Sequence, residues 1–133
     1  MEAISLNRDV ETYFHLMNSF LLVQVAELDE TLKENGITEP KTREDICAQF
    51  GLRMGQVLDW GWIGSNAKRY FPLLMFAERF LDGPNTALST LGVIEAPPKT
   101  DEFHPLAVDA ATVFFRDLGG DAAKVEYGGP GDA

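Results

Sequence analysis

The sequence predicts a mainly α fold, a single helical domain with a winged-helix-like (helix-turn-helix) centre. Three observations predict it. Apolar residues recur at steps of three or four along residues 8–35; two short helical segments separated by a tight turn follow between Thr42 and Trp60; and a basic-aromatic run then enters a further apolar stretch at Leu73. With 133 residues, 45% of them hydrophobic, the chain can bury one core. One domain over residues 1–120 is therefore expected, trailed by a flexible Gly-rich tail over residues 121–133.

The first element is a long amphipathic helix from Arg8 to Asn35, carried by Val10, Phe14, Met17, Leu21, Val25, Leu28 and Leu32. Asn7 is its expected N-cap and Asn35-Gly36 its C-cap. Around the middle, Phe20, Leu21, Leu22, Val23, Val25 and Ala26 make it apolar nearly all round. One face serves the chain's own core, so the second calls for a partner. A homodimer built on Phe20, Leu21, Leu22, Val23 and Val25 is the expectation, with a helix wholly internal to a monomer as the alternative.

Pro40 marks a connection, and Thr42 followed by Asp45 resembles a capping box for a short helix burying Ile46, Cys47 and Phe50. Gly51 should close that helix in the left-handed conformation, with Leu52 packing back. A second short helix, Met54 to Trp60, turns Val57 and Leu58 inward. Ser65-Asn66-Ala67-Lys68 reads as a turn, and Arg69-Tyr70-Phe71 as extended because residues before proline avoid helical angles. Leu73–Leu81 is expected as a helix stopped by Asp82-Gly83-Pro84, Thr86–Leu91 as a short helical turn, and Glu95–Asp101, with Pro97-Pro98, as a spacer. A last helix from Pro105 to Leu118 presents Leu106, Ala110, Val113, Phe114 and Leu118 on one side and ends at Gly119-Gly120.

Residues 8–83 resemble, in pattern, the N-terminal dimerisation modules of small-molecule O-methyltransferases. The likeness is carried by the apolar first helix ending in Asn35-Gly36, by TREDICAQFGL with Gly51-Leu52 at the turn, by the VLDW segment, and by KRYFPLLMFAERFLDG where those modules have a wing strand entering a helix. It implies a winged-helix-like centre and dimerisation. VEYGGPG near the end echoes the strand and glycine loop that bind S-adenosylmethionine in such enzymes, but only Asp132 and Ala133 follow it, so no cofactor is expected.

The formal charge of −10 is unevenly spread: −6 over residues 1–50, +1 over residues 51–92 and −5 over residues 93–133. Such an acidic chain repels phosphate backbones, which argues against nucleic acid unless Arg53, Lys68, Arg69 and Arg79 focus into one patch. The single cysteine, Cys47, can form no internal disulfide, and no zinc-type Cys/His cluster is present. No secretory signal pattern and no apolar run of membrane-spanning length occur, so a cytoplasmic protein is expected.

Little else in the sequence carries chemistry. Glu11 and His15 share a helix face and would need Asp101, Glu102 or His104 to complete a metal site; no metal is expected. Ser65, Ser89 and Cys47 sit in no nucleophile motif. Trp60, Trp62, Arg69, Tyr70 and Phe71 gather two indoles, a cation and two further aromatics, which can line a small-molecule pocket, fill a core or form a contact. The leading reading is a non-catalytic interaction or accessory module. The alternative is a small enzyme or ligand-binding protein with a pocket at Trp60, Trp62, Arg69 and Tyr70, using Glu11, His15, Glu78 or His104 as acid or base. A DNA-binding regulator using the Gln56-containing helix ranks third.

Overall fold

A computed structural model describes residues 3–98 and 103–129. The fold is mainly α. Helix α1 (Val10–Glu34) and helix α2 (Pro40–Trp60) are the long elements, and helix α3 (Phe103–Thr112) continues into a π-helical turn, Val113–Asp117. Short strands complete it: β1 (Leu6–Asn7), the hairpin β2 (Ile63–Ser65) and β3 (Lys68–Tyr70), β4 (Phe76–Ala77) and β5 (Ile94–Glu95). Strand β5 lies between β1, parallel to it, and β4, antiparallel to it.

The first helix forms as its periodicity demands, with Tyr13, Met17, Leu21 and Val25 at four-residue steps in the core. Its N-cap is Asp9 rather than Asn7: the Asp9 carboxylate accepts from both the N–H and the hydroxyl of Thr12. Its end is the expected one. Gly36 takes φ +85°, and the Ile37 N–H reaches back to the Leu32 carbonyl.

The centre differs from the expected pair of short helices. Residues 40–60 form one uninterrupted helix, which begins two residues before Thr42 of the expected capping box. Pro40 supplies a preset φ in the first turn, and the Thr42 hydroxyl donates to the Glu39 carboxylate. Gly51 is no turn. It lies mid-helix because α3 needs its missing side chain: a Cβ there would stand 3.1 Å from Ala107 Cβ. One turn on, a Cβ at Gly55 would lie 2.5 Å from His104 Cα. Two glycines on α2 facing Ala107 and the start of α3 thus bring the helices together, and the core closes on Cys47, Phe103, Ala107, Ala110, Ala111 and Phe114.

Residues 73–81, expected as a helix, form an irregular non-helical segment with β4 within it. Tertiary contacts outweigh helix propensity here. Tyr13 Oη donates to the Leu74 carbonyl at 2.6 Å, Phe76 packs its ring on Tyr13 and Phe20, and the Arg79 N–H bonds to the Leu91 carbonyl. The short turn expected before Gly92 is a 3-10 helix, Leu88–Leu91. The spacer after Glu95 is held by Arg8, whose guanidinium donates to the carbonyls of Pro97 and Pro98. The remainder of that spacer, residues 99–102, and tail residues 130–133 lie outside the described residues. The described part of the tail turns back at Gly119 and Gly120, both at positive φ, and sets Ala122 and Val125 against the core.

Candidate interaction surface

The buried polar groups are structural. Asp29 of α1 and Arg43 of α2 meet at 2.6 Å, and the same guanidinium donates to the carbonyls of Ile37 and Thr38, so one side chain locks the α1–α2 loop. Lys33 adds a second cation 3.2 Å from Asp29. Cys47 is buried beside this pair. Burial, with the Asp29 charge, pushes its thiol up to about 12, far from the range of a reactive thiolate.

Asp59 is the residue whose role the sequence least advertises. Near the end of α2, its side chain is fully buried and caps the start of α3: Oδ1 accepts the Phe103 N–H at 2.9 Å and Oδ2 the His104 N–H at 3.0 Å. Oδ2 also sits 2.6 Å from His104 Nδ1, and the His104 ring packs on Trp60 with centroids 4.9 Å apart. The Asp59 charge also helps burial push the Tyr13 hydroxyl up to about 12. An aspartate oriented on a histidine can tune an acid–base group, yet no Ser, Cys or Thr nucleophile contacts this pair among the described residues. Its evident work is to join two helix ends.

The four aromatic-site residues neither enclose a pocket nor enter the core. Trp60 is 54% exposed, Trp62 49% and Tyr70 51%, and Phe71 is exposed beside them. Arg69 lies over the Trp62 indole, 4.4 Å from its centroid. The turn expected at Ser65–Lys68 is present and makes β2 and β3 a hairpin, with Asn66 and Ala67 at φ +51° and +62°. Register sets Ile63 opposite Tyr70 and Ser65 opposite Lys68, and Trp62 and Arg69 line an open groove of about 410 Å³ together with the turn residues.

Apolar surface continues from the hairpin back along α2. Phe50, Met54, Val57 and Trp60 follow one another at helical steps and are all exposed, at 43%, 38%, 37% and 54%. Phe50 and Val57 were expected inward. They face out because Gly51, Gly55 and Asp59 occupy the side turned to α3. The stripe is legible in the sequence once α2 is read as one helix through Gly51. A second apolar area, with Phe80 81% exposed, lies beside Met75, Leu81, Leu88 and Ile94 at the small sheet.

The residues expected at a dimer contact differ in burial. Leu21 and Val25 are in the core, Phe20 and Leu22 pack partly against it, and Val23 is half-buried. The nearly all-round apolar α1 is accounted for by α2, α3 and the segment around Phe76. Of the candidate acid–base residues, Glu11 and His15 are exposed on α1, Glu78 accepts from the Val93 N–H, and His104 is engaged by Asp59. Among the described residues no three His, Cys, Asp or Glu side chains converge as a metal site, and no helix is long and apolar enough to cross a membrane. Comparison of the chain with protein families, with curated proteins and with solved structures finds no match.

Proposed function

We propose that this protein is a non-catalytic interaction module whose contact face is the outer side of α2 together with the β2–β3 hairpin. The observation that carries the reading is the run of exposed large apolar side chains, Phe50, Met54, Val57, Trp60, Trp62, Ile63, Tyr70 and Phe71, on two consecutive elements. Scattered apolar residues on a surface need no explanation, but a contiguous set of this size marks a contact site. Aromatic residues with an arginine among them are also the composition of interface centres. The hairpin adds support, since a two-stranded ribbon with every residue exposed is marginal in water and gains from being covered.

Self-association through α1 has less support, because its candidate residues serve the core. The winged-helix-like reading, and with it the resemblance to O-methyltransferase dimerisation modules, rests on the apolar first helix and on the hairpin that follows α2 where a wing would stand; the uninterrupted α2 weighs against its helix-turn-helix part. Small-molecule binding at Trp60, Trp62, Arg69 and Tyr70 is the second reading, favoured by the Arg69–Trp62 stack and the open groove that these two residues line.

Photo-crosslinking tests the first reading. A benzophenone side chain at Val57 or Trp62 should give discrete adducts in cells, while the same group at exposed Glu30 of α1 should give none. Equal labelling from all three positions would remove the contact face. Light scattering on a size-exclusion column addresses self-association: a mass of 14.7 kDa at tens of micromolar would exclude it.

A further inference from the structure

We infer that the face formed by α2 and the hairpin docks an amphipathic helix of another protein, one whose apolar stripe is flanked by carboxylates. The inference rests on the contact-face reading above and adds the chemistry of the partner. Phe50, Met54, Val57 and Trp60 lie at successive steps of four, three and three, so they form a ridge of about 15 Å along α2, the length of two to three helical turns. A ridge of that form packs into the groove of another helix laid beside it. Arg53 projects from the same side, near Phe50 and Val57, and Lys68 and Arg69 stand on opposite faces of the adjoining hairpin, Lys68 on the Tyr70 side and Arg69 over Trp62. All three are exposed, and none is ion-paired with another described residue.

Charge selects the occupant. Between residues 48 and 75 the only acidic residue is Asp59, whose carboxylate is buried under the start of α3, so this described stretch of α2 and the hairpin carries three cations and no exposed carboxylate of its own. The chain as a whole has a charge of −10. Basic residues rimming an apolar ridge on an otherwise acidic molecule complement an apolar stripe with acidic flanks. A second copy does not meet that description. Pairing this stretch with itself about a two-fold axis gathers two sets of Arg53, Lys68 and Arg69 in one contact, with no exposed acid of the stretch to offset them. Nucleic acid fits less well, because the acidic remainder of the molecule repels a long polyanion.

The test uses the full chain in its source cells with the benzophenone at Val57. The adduct should be a second protein whose linked segment, sequenced by mass spectrometry, holds more Asp and Glu than Lys and Arg. Combining Arg53→Glu, Lys68→Glu and Arg69→Glu should lower the adduct at least tenfold, and the charge-keeping pair Arg53→Lys and Arg69→Lys should retain it. Circular dichroism establishes that the reversed variant is folded; should it fail to fold, Arg53→Glu alone, expected to lower the adduct about threefold, decides. An adduct with a second copy, a nucleic acid or a basic segment overturns the proposal, as does one indifferent to charge reversal, and any of these leaves the contact face standing. No adduct from either Val57 or Trp62 overturns both.

Discussion

Gly55→Ala offers the sharpest test of how α2 and α3 meet, because two large effects oppose each other and the structure decides the sign. In an exposed helix interior, replacing glycine by alanine stabilises by about 1 kcal/mol. Here the new Cβ would stand 2.5 Å from His104 Cα, 2.7 Å from His104 N and 2.9 Å from Phe103 C, all backbone atoms that no rotamer change can move aside. Reaching ordinary carbon–carbon contact near 3.5–4.0 Å needs the start of α3 to retreat by roughly 1 Å. The two bonds from Asp59, at 2.9 and 3.0 Å, would then stretch out of hydrogen-bonding range and leave a buried carboxylate under-satisfied. Each bond to a charged group is worth about 1.5–3 kcal/mol, and overpacking alone costs about 1–3 kcal/mol. After subtracting the propensity gain, a net loss of about 1.5–5 kcal/mol is expected if one of the two bonds is lost, and about 3–8 kcal/mol if both are. Urea denaturation followed by far-ultraviolet circular dichroism measures it as a lower midpoint at unchanged slope. Asp59→Ala should also destabilise, and the double variant should lose less than the sum, since both act on one junction. A Gly55→Ala protein as stable as wild type, or more so, would refute the close helix approach and the cap that depends on it.

Two further outcomes are expected. Cys47 should resist a thiol reagent in the native protein and react fully in urea; because its folded value of about 12 lies above the ordinary 9.0, the stability linked to it is complete below pH 9 and declines as pH rises toward 12. That loss approaches about 1.4 kcal/mol per pH unit from Cys47, with Tyr13 adding its own above pH 10, so alkaline denaturation curves of wild type and Cys47→Ala should differ in slope; identical slopes would remove the assignment. Ala67→Gly should relieve the left-handed strain at φ +62° by about 1 kcal/mol and slow amide exchange at Lys68 and Tyr70 about fivefold, whereas faster exchange would show that the hairpin turn is built differently.

Several features follow from purely local signals. The period of α1, its Asn35-Gly36 end, the Ser65–Lys68 turn and the stop at Gly119-Gly120 all depend on side chains within a few residues of one another, and the amino-acid order alone determined them. The N-cap at Asp9 and the start of α2 at Pro40 differ from expectation by a few residues, because neighbouring capping groups compete and differ little in energy.

What tertiary structure decided is where a local preference was overruled by a distant surface. Glycine ends a helix or lets two helices touch, and only Ala107 and His104, about fifty residues downstream, settle which use Gly51 and Gly55 serve. Residues 73–81 carry helical composition, yet the Tyr13 hydroxyl, the Phe76–Phe20 contact and pairing with β5 keep them out of a helix. Asp59 looks like an ordinary aspartate at a helix end until α3 arrives to be capped. The aromatic cluster between residues 60 and 71 is plain in the sequence, but whether it is core, pocket or surface depended on which side of α2 the glycines claimed. Because α3 packs on the Gly51–Gly55–Asp59 side, the Phe50–Met54–Val57–Trp60 side and the hairpin beyond it were left facing out.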